Sequence, residues 1–300
     1  MRSLYLIDSS IYVFNAWFAL PASLTNDSGQ PNNALLGFSD FVYRFLHQER
    51  PQQAVFAFDE SLKHSARNEI YPLYKANRSP APEELRRQFQ WCRQFVQALG
   101  FSQVASDRHE ADDLIGSLAF MHRSAEQRIV LLSADKDLAQ LVREHDEWWS
   151  FAVGHRLGYL ALRKKFGVNP EQIADQLALA GDKVDNIPGI PGIGMTIAGR
   201  LLIKFGSLDK LRENIDRVGD MKFRGAGRVM DLLRQHEQVL DISARLTPID
   251  CHVDAMREVS IDRQPADYER LEAMMCEHRL GETRRSRWLE LLDSMNPNNP

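Results

Sequence analysis

The stretch SLYLID, residues 3–8, is an apolar run that ends on an acid. AVFAFD (54–59) and IVLLSAD (129–135) repeat the form. Short apolar runs separated by helix-length segments predict buried parallel strands joined by crossover helices. The intervening pieces agree. ALLGFSDFVYRFL (34–46) and EELRRQFQWCRQFVQALG (83–100) have helical spacing, with Gly100 as a C-terminal stop. FSQVA (101–105) is a further candidate strand. HEADDLIGSLAFMH (109–122) reads as a helix with acids in its first turn and Leu114, Ile115, Leu118 and Ala119 turned inward. The first half is therefore expected to be an α/β sheet domain.

After about residue 160 the strand signals fade. NPEQIADQLALAG (169–181) predicts a helix with Asn169 as N-cap and Pro170 at its first position. GSLDKLRENI (206–215) and GAGRVMDLLRQHEQVLDI (225–242) are also helical in pattern. A chain of 300 residues, 44% hydrophobic and 26% charged, is an ordinary globular one of more than one average domain. Cys92, Cys251 and Cys276 form no CxxC, which argues against a disulfide framework and a cysteine zinc site and for a reducing compartment. Asp8 and Asn15 interrupt the N-terminal apolar run, so no signal peptide or membrane span is expected. The expected location is the cytoplasm.

In an open parallel sheet, ligands bind outside the carboxyl ends of the strands. Asp8, Asp59 and Asp135 each end a predicted strand, and Asp137 follows two residues on. Glu110, Asp112 and Asp113 crowd the first turn of the 109–122 helix. Taken singly, such acids serve a turn or the helix dipole. Taken together they fall on one edge of the sheet. Carboxylates about 4 Å apart repel by about 4 kcal/mol at an effective dielectric near 20, so cations between them or retained protons are required. Oxygen-only donors point to Mg²⁺ or Mn²⁺. A carboxylate-rich two-metal site serves phosphoryl chemistry.

Between residues 63 and 93 stand Lys63, Arg67, Lys75, Arg78, Arg86, Arg87 and Arg93. Tyr74 beside Lys75 and Arg78 pairs an aromatic surface with phosphate-binding cations. A solvated helical face is the other reading of that segment. Further on, GDKVDNIPGIPGIGMTIA (181–198) sets Asp182 and Asp185 just before a Gly-Pro run. With these two, nine acids are candidates for metals. Setting them aside turns the net charge of −4 positive, which fits a nucleic-acid partner.

LIDSS, FAFDE, YKANR, HEADDLIGSLA, LSADKDLAQLV and GDKVDNIPGIPGIG occur in this order. Together they resemble the 5′-nuclease family: the 5′→3′ exonuclease domain of bacterial DNA polymerase I, phage 5′-exonucleases and flap endonucleases. The similarity covers about residues 3–260, and no polymerase follows, so the expectation is a free-standing member. The resemblance implies a mostly parallel, PIN-like or resolvase-like α/β domain over 1–165, with a helical arch at about 63–98. It implies a helical DNA-binding region over 166–300 with a helix-hairpin-helix at about 181–213.

The resemblance places metal ligands at Asp8, Asp59, Glu110, Asp112, Asp113, Asp135, Asp137, Asp182 and Asp185. It implies two Mg²⁺ per site, replaceable by Mn²⁺, and allows K⁺ at the hairpin. Lys75 would contact the scissile phosphate, Arg78 would clamp it, and Tyr74 would stack near a displaced base. Lys63, Arg67, Gly189, Gly192, Gly194, Thr196, Arg200 and Lys204 are the expected DNA-binding positions. Ile193 is expected to anchor the hairpin in the core. Gly192 and Gly194 would let phosphates reach the N–H groups of the next helix.

Three departures stand out. Asn15 and Thr196 replace basic residues common in the family, and KHSAR (63–67) is one residue longer than usual. The implied activity is a structure-specific 5′→3′ exonuclease and flap endonuclease in DNA replication or repair. Its expected substrates are DNA with a 5′ flap, nick or free 5′ end, with RNA–DNA hybrid as a further one, acted on by a monomer. The alternatives are a non-catalytic structure-specific DNA-binding protein and a PIN-like ribonuclease.

Overall fold

The computed structural model describes residues 1–59 and 65–295. Among them, β1 (Arg2–Asp8), β2 (Gln53–Asp59), β3 (Ser102–Ser106), β4 (Gln127–Leu132), β5 (Glu147–Ser150) and β6 (His155–Gly158) form one sheet in the order β3-β2-β1-β4-β5-β6. The first five strands are parallel and β6 runs antiparallel to β5. From β1 the chain winds outward to β2 and β3, then returns to place β4 on the other side of β1. That reversal opens a crevice at the carboxyl ends of β1 and β4.

The helices are α1 (Ser9–Ala19), α2 (Asn33–Glu49), α3 (Ala66–Ile70), α4 (Glu83–Ala98), α5 (Ala111–His122), α6 (Tyr159–Phe166), α7 (Ile173–Ala180), α8 (Met195–Phe205), α9 (Leu208–Glu213), α10 (Ala226–Gln235), α11 (Glu237–Leu246), α12 (Tyr268–Glu277) and α13 (Glu282–Ser294). Successive strand residues point to opposite faces. Leu4, Leu6, Val55, Ala57, Ile129 and Leu131 join one core, packed with α5, α7 and α8. Tyr5, Ile7, Phe56, Phe58, Val130 and Leu132 join the other, packed with α2, α4, α12 and α13. Both faces are covered, so the strands read as continuous apolar runs without polar alternation.

Several boundaries differ from expectation. EWWS and HRLG form β5 and β6, a short pair that the sequence pattern does not announce. The 225–242 helix is two helices, broken at His236, whose backbone is non-helical. Within the expected arch range of 63–98, α4 buries Leu85, Cys92, Phe95 and Val96 against the sheet layer, and residues 63 and 64 lie outside the described residues. α12 and α13 return to the sheet domain, where Trp288 packs edge-on against Phe95 with centroids 5.2 Å apart. Among the described residues no helix is long and apolar enough to cross a membrane.

Candidate active site

The acids are set by strand ends and by the turns that follow them. Asp8 closes β1 and is buried, and its Oδ2 accepts the Ser133 hydroxyl at 2.8 Å. Ser133 Oγ accepts the Asp135 amide at 2.9 Å, and Asp135 Oδ1 accepts the Asp137 amide at 2.9 Å. These local bonds fold the loop after β4 so that Asp135 stays near Asp8, and Asp137 near Asp135. Asp59 closes β2. Its amide donates to Ser10 Oγ at 2.8 Å and its Oδ1 accepts the Ala111 amide at 2.9 Å, which ties β2 to the start of α5.

Burial and mutual repulsion hold Asp8, Asp112, Asp135 and Asp137 toward the neutral form. Burial, then the charge of Asp59, pushes Asp8 up to about 7. Burial, then Asp135, pushes Asp137 up to about 7. Burial, then Asp135 and Asp8, raises Asp112 well above the usual range. Asp182 goes the other way: burial would raise it, but Lys136 at 2.6 Å and the Val184 amide outweigh that.

Basic side chains are inserted among the remaining acids. Lys75 Nζ lies 2.7 Å from Glu110 Oε2 and 3.7 Å from Asp185 Oδ2. Burial alone would lower the Lys75 ammonium, and Glu110, Tyr74 and Asp185 together raise it instead. Arg78 Nη2 donates to Asp185 Oδ1 at 2.5 Å. With these cations in place, no group of three or more acidic, His or Cys side chains among the described residues stands in ready metal-ligating geometry. The donor set nevertheless fits hard cations. All the candidates are carboxylates, and Glu110 Oε1 and Asp137 Oδ1 are buried without a hydrogen-bond partner.

Four expected roles meet a different geometry. Arg67 is 9% exposed and grips Asp113 through two 2.7 Å bonds, while donating to the Leu246 and Pro248 carbonyls. It is a buried clamp between α3, α5 and the end of α11, with its guanidinium taken up by these partners. Asp113 is saturated by that clamp and by the Glu110 and Asp250 amides, which leaves it no lone pair aimed at a metal. Tyr74 is 4% exposed, its ring packed with Ile187 and Leu246, so it is no stacking platform. Its hydroxyl instead reaches Glu110 Oε2 at 3.2 Å and Asp185 Oδ2 at 3.4 Å. Gly189 is buried with φ +57°, and a Cβ there would stand 2.1 Å from the Gly181 nitrogen. That glycine serves the turn, where a phosphate could not reach it. Lys63 lies outside the described residues.

The hairpin joins α7 to α8. Ile187, Ile190 and Ile193 are buried, so Ile193 sits where an anchor would. Gly192 is exposed with φ +90°, and Gly194 is exposed with φ −96° and nothing within 4 Å of an added Cβ. From Gly194, Thr196, Arg200 and Lys204 follow at four-residue spacing on the exposed face of α8. A cavity of about 630 Å³ adjoins Asp59, Lys75 and Arg78 and runs to Phe14, Arg86 and Phe89. The sequence reading missed Ser133 and Lys136. The signal for Lys136 was its place between Asp135 and Asp137; Ser133 carried none.

The description "5′-3′ exonuclease, N-terminal resolvase-like domain" matches residues 3–176, and "5′-3′ exonuclease, C-terminal SAM fold" matches 168–269. A 5′-3′ exonuclease of Aquifex aeolicus is 37% identical over 72% of this chain and 74% of its own length. DNA polymerase I of Pseudomonas aeruginosa is 35% identical over 96% of this chain, which spans 31% of that polymerase. A flap endonuclease of bacteriophage T5, solved as a pseudo-enzyme–product complex with DNA and metal ions, superposes with a TM-score of 0.65 at 20% identity, covering 93% of this chain and all of that one. The catalytic core of Rad2 with a DNA substrate gives 0.62 at 14% identity, covering 97% and 92%.

Proposed function

The chain belongs to the 5′-3′ exonuclease family, and we propose that it hydrolyses DNA phosphodiester bonds at or near free 5′ ends on two divalent cations. The observation that carries this reading is the buried acid cluster beside Lys75, in which Glu110 and Asp137 keep unpartnered oxygens. Asp8, Asp59, Asp112, Asp135 and Asp137, with Glu110, Asp182 and Asp185, would hold Mg²⁺ or Mn²⁺. When bound, such ions activate water and stabilise the leaving oxygen.

The chain's own groups do the rest. Lys75 and Arg78 neutralise Glu110 and Asp185 in the free protein. A scissile phosphate, with cations on the acids, offers each of these bases a new anionic partner. Tyr74 orients Glu110 and Asp185 through its hydroxyl. Arg67 and Asp113 fix the start of α5. A DNA 5′ flap, nick or end is the proposed substrate, with RNA–DNA hybrid as a further one. A monomer acting in the cytoplasm during replication or repair completes the proposal, and K⁺ at the hairpin rests on the family resemblance alone.

Duplex grip is assigned to the start of α8, whose first N–H groups have no partner four residues back. Gly194→Ala tests it, since neither strain nor a clash opposes the methyl group. On a 5′-labelled flap with a downstream duplex, the affinity of Gly194→Ala should fall by about fivefold or more, equally for unrelated sequences. Its melting temperature should match wild type. Cutting of short single strands should be unchanged. Wild-type affinity in the variant would reduce the Gly-Pro run to a connector.

A further inference from the structure

Two turns flank the cluster: 72–78, which carries Lys75 and Arg78, and 182–187, which carries Asp182 and Asp185. Each reaches across to the backbone of the other with one asparagine amide. Asn186 Nδ2 donates to the Leu73 carbonyl at 2.6 Å. Asn77 Nδ2 donates to the Lys183 carbonyl at 3.2 Å and the Val184 carbonyl at 3.4 Å. Between these bonds the Lys75 amide donates to the Asp185 carbonyl at 3.0 Å.

Both turns pass through left-handed backbone at the crossing. Lys75 has φ +52° and Asn186 φ +57°. Asparagine tolerates this region, whereas lysine rarely enters it and needs surrounding structure to hold it there. The crossed amides flank Lys75 on both sides. Asn77 is exposed and Asn186 half-buried.

We infer that Asn77 and Asn186 are positioning residues: a crossed strap that locks the Lys75 turn to the Asp185 turn, so that the phosphate-facing ammonium and the carboxylate stay in register. The inference rests on the proposed nuclease reading for its consequence, though not for the strap itself. Neither asparagine touches the reacting atoms; both act through Lys75 and Asp185. The partner they prepare for is the scissile phosphate of the DNA strand.

Hydrogen exchange on the metal-free protein reads the strap. Asn186→Gly keeps the left-handed backbone and loses the amide; Asn77→Ala loses the other. Each should raise exchange across 72–78 and 182–187 by about tenfold and leave α5 as in wild type. Single-turnover cleavage reads the role: each variant should slow by about tenfold, with melting temperature and duplex affinity close to wild type. In a Lys75→Ala background, Asn186→Gly should cost about threefold or less, because one of the two groups it positions is gone and only Asp185 remains. A merely structural asparagine would cost the same in both backgrounds. Wild type measured in parallel separates the failures. If wild type does not cleave, the nuclease reading falls while hydrogen exchange still decides the strap. Unchanged exchange in both variants, or equal losses in both backgrounds, would overturn the inference.

Discussion

Asp8→Asn is expected to remove cleavage and leave the fold at least as stable. Asn keeps the shape and can still accept the Ser133 hydroxyl, but brings no charge to a cation. Losing several kcal/mol of charge stabilisation should lower the single-turnover rate by about a thousandfold or more. Stability should move the other way. Asp8 holds its proton up to about pH 7 in the folded protein, against about 4 for an ordinary aspartate. The folded state therefore binds more protons across that window, and its stability falls as the pH rises from about 4 through 7. Asn has no such dependence. Metal-free Asp8→Asn should thus melt higher than wild type at about pH 8 and level with it near pH 4. Added Mg²⁺ should raise the melting temperature of wild type more than that of the variant. A variant that cleaves normally would remove Asp8 from the site. One that loses activity by unfolding would make it a structural acid.

Lys75→Ala should give the second-largest loss. The ammonium is held against Glu110 by short contacts and by a left-handed backbone, aimed at the acid cluster. A fixed cation where negative charge builds on a transferring phosphate contributes several kcal/mol. The single-turnover rate should fall by about a hundredfold. Duplex affinity should change little, because the grip is assigned to α8. Lys75→Ala also leaves buried Glu110 with only the more distant Arg67, 3.8 Å away, as its cation, so the melting temperature must be recorded beside the rate. A folded variant within about threefold of the wild-type rate would show that Lys75 only balances Glu110.

The sheet was legible because a buried parallel strand leaves a compact signature, an apolar run closed by an acid. Asp8 and Asp59 close β1 and β2 as that signature implies, whereas β4 ends at Leu132 and Asp135 lies in the loop that follows. β5 and β6 were not legible, since four residues such as HRLG carry no period to read. α4 falls within the arch range that the family resemblance implies, yet its Leu85–Cys92–Phe95 stripe buries against the sheet layer. The amphipathic pattern says that a face is covered and cannot say by what. The same limit explains Arg67. A basic residue in a basic segment reads as a phosphate ligand, and its partner Asp113 lies 46 positions away. Tyr74 is a like case, because its burial against Ile187 and Leu246 depends on contacts far along the chain. Gly194 reads as a turn glycine, but its backbone is extended and open, while Gly189 and Gly192 carry the positive φ.

The central claim is that this acid cluster cuts DNA only with divalent cations bound. Single-turnover cleavage of a 5′-labelled flap tests it most directly, starting from chelator-treated protein already bound to DNA. The account predicts no product until Mg²⁺ is added, then cuts at or next to the junction, stopped again by excess chelator. Sustained cleavage in chelator, or bound flap that stays intact in Mg²⁺, would contradict it.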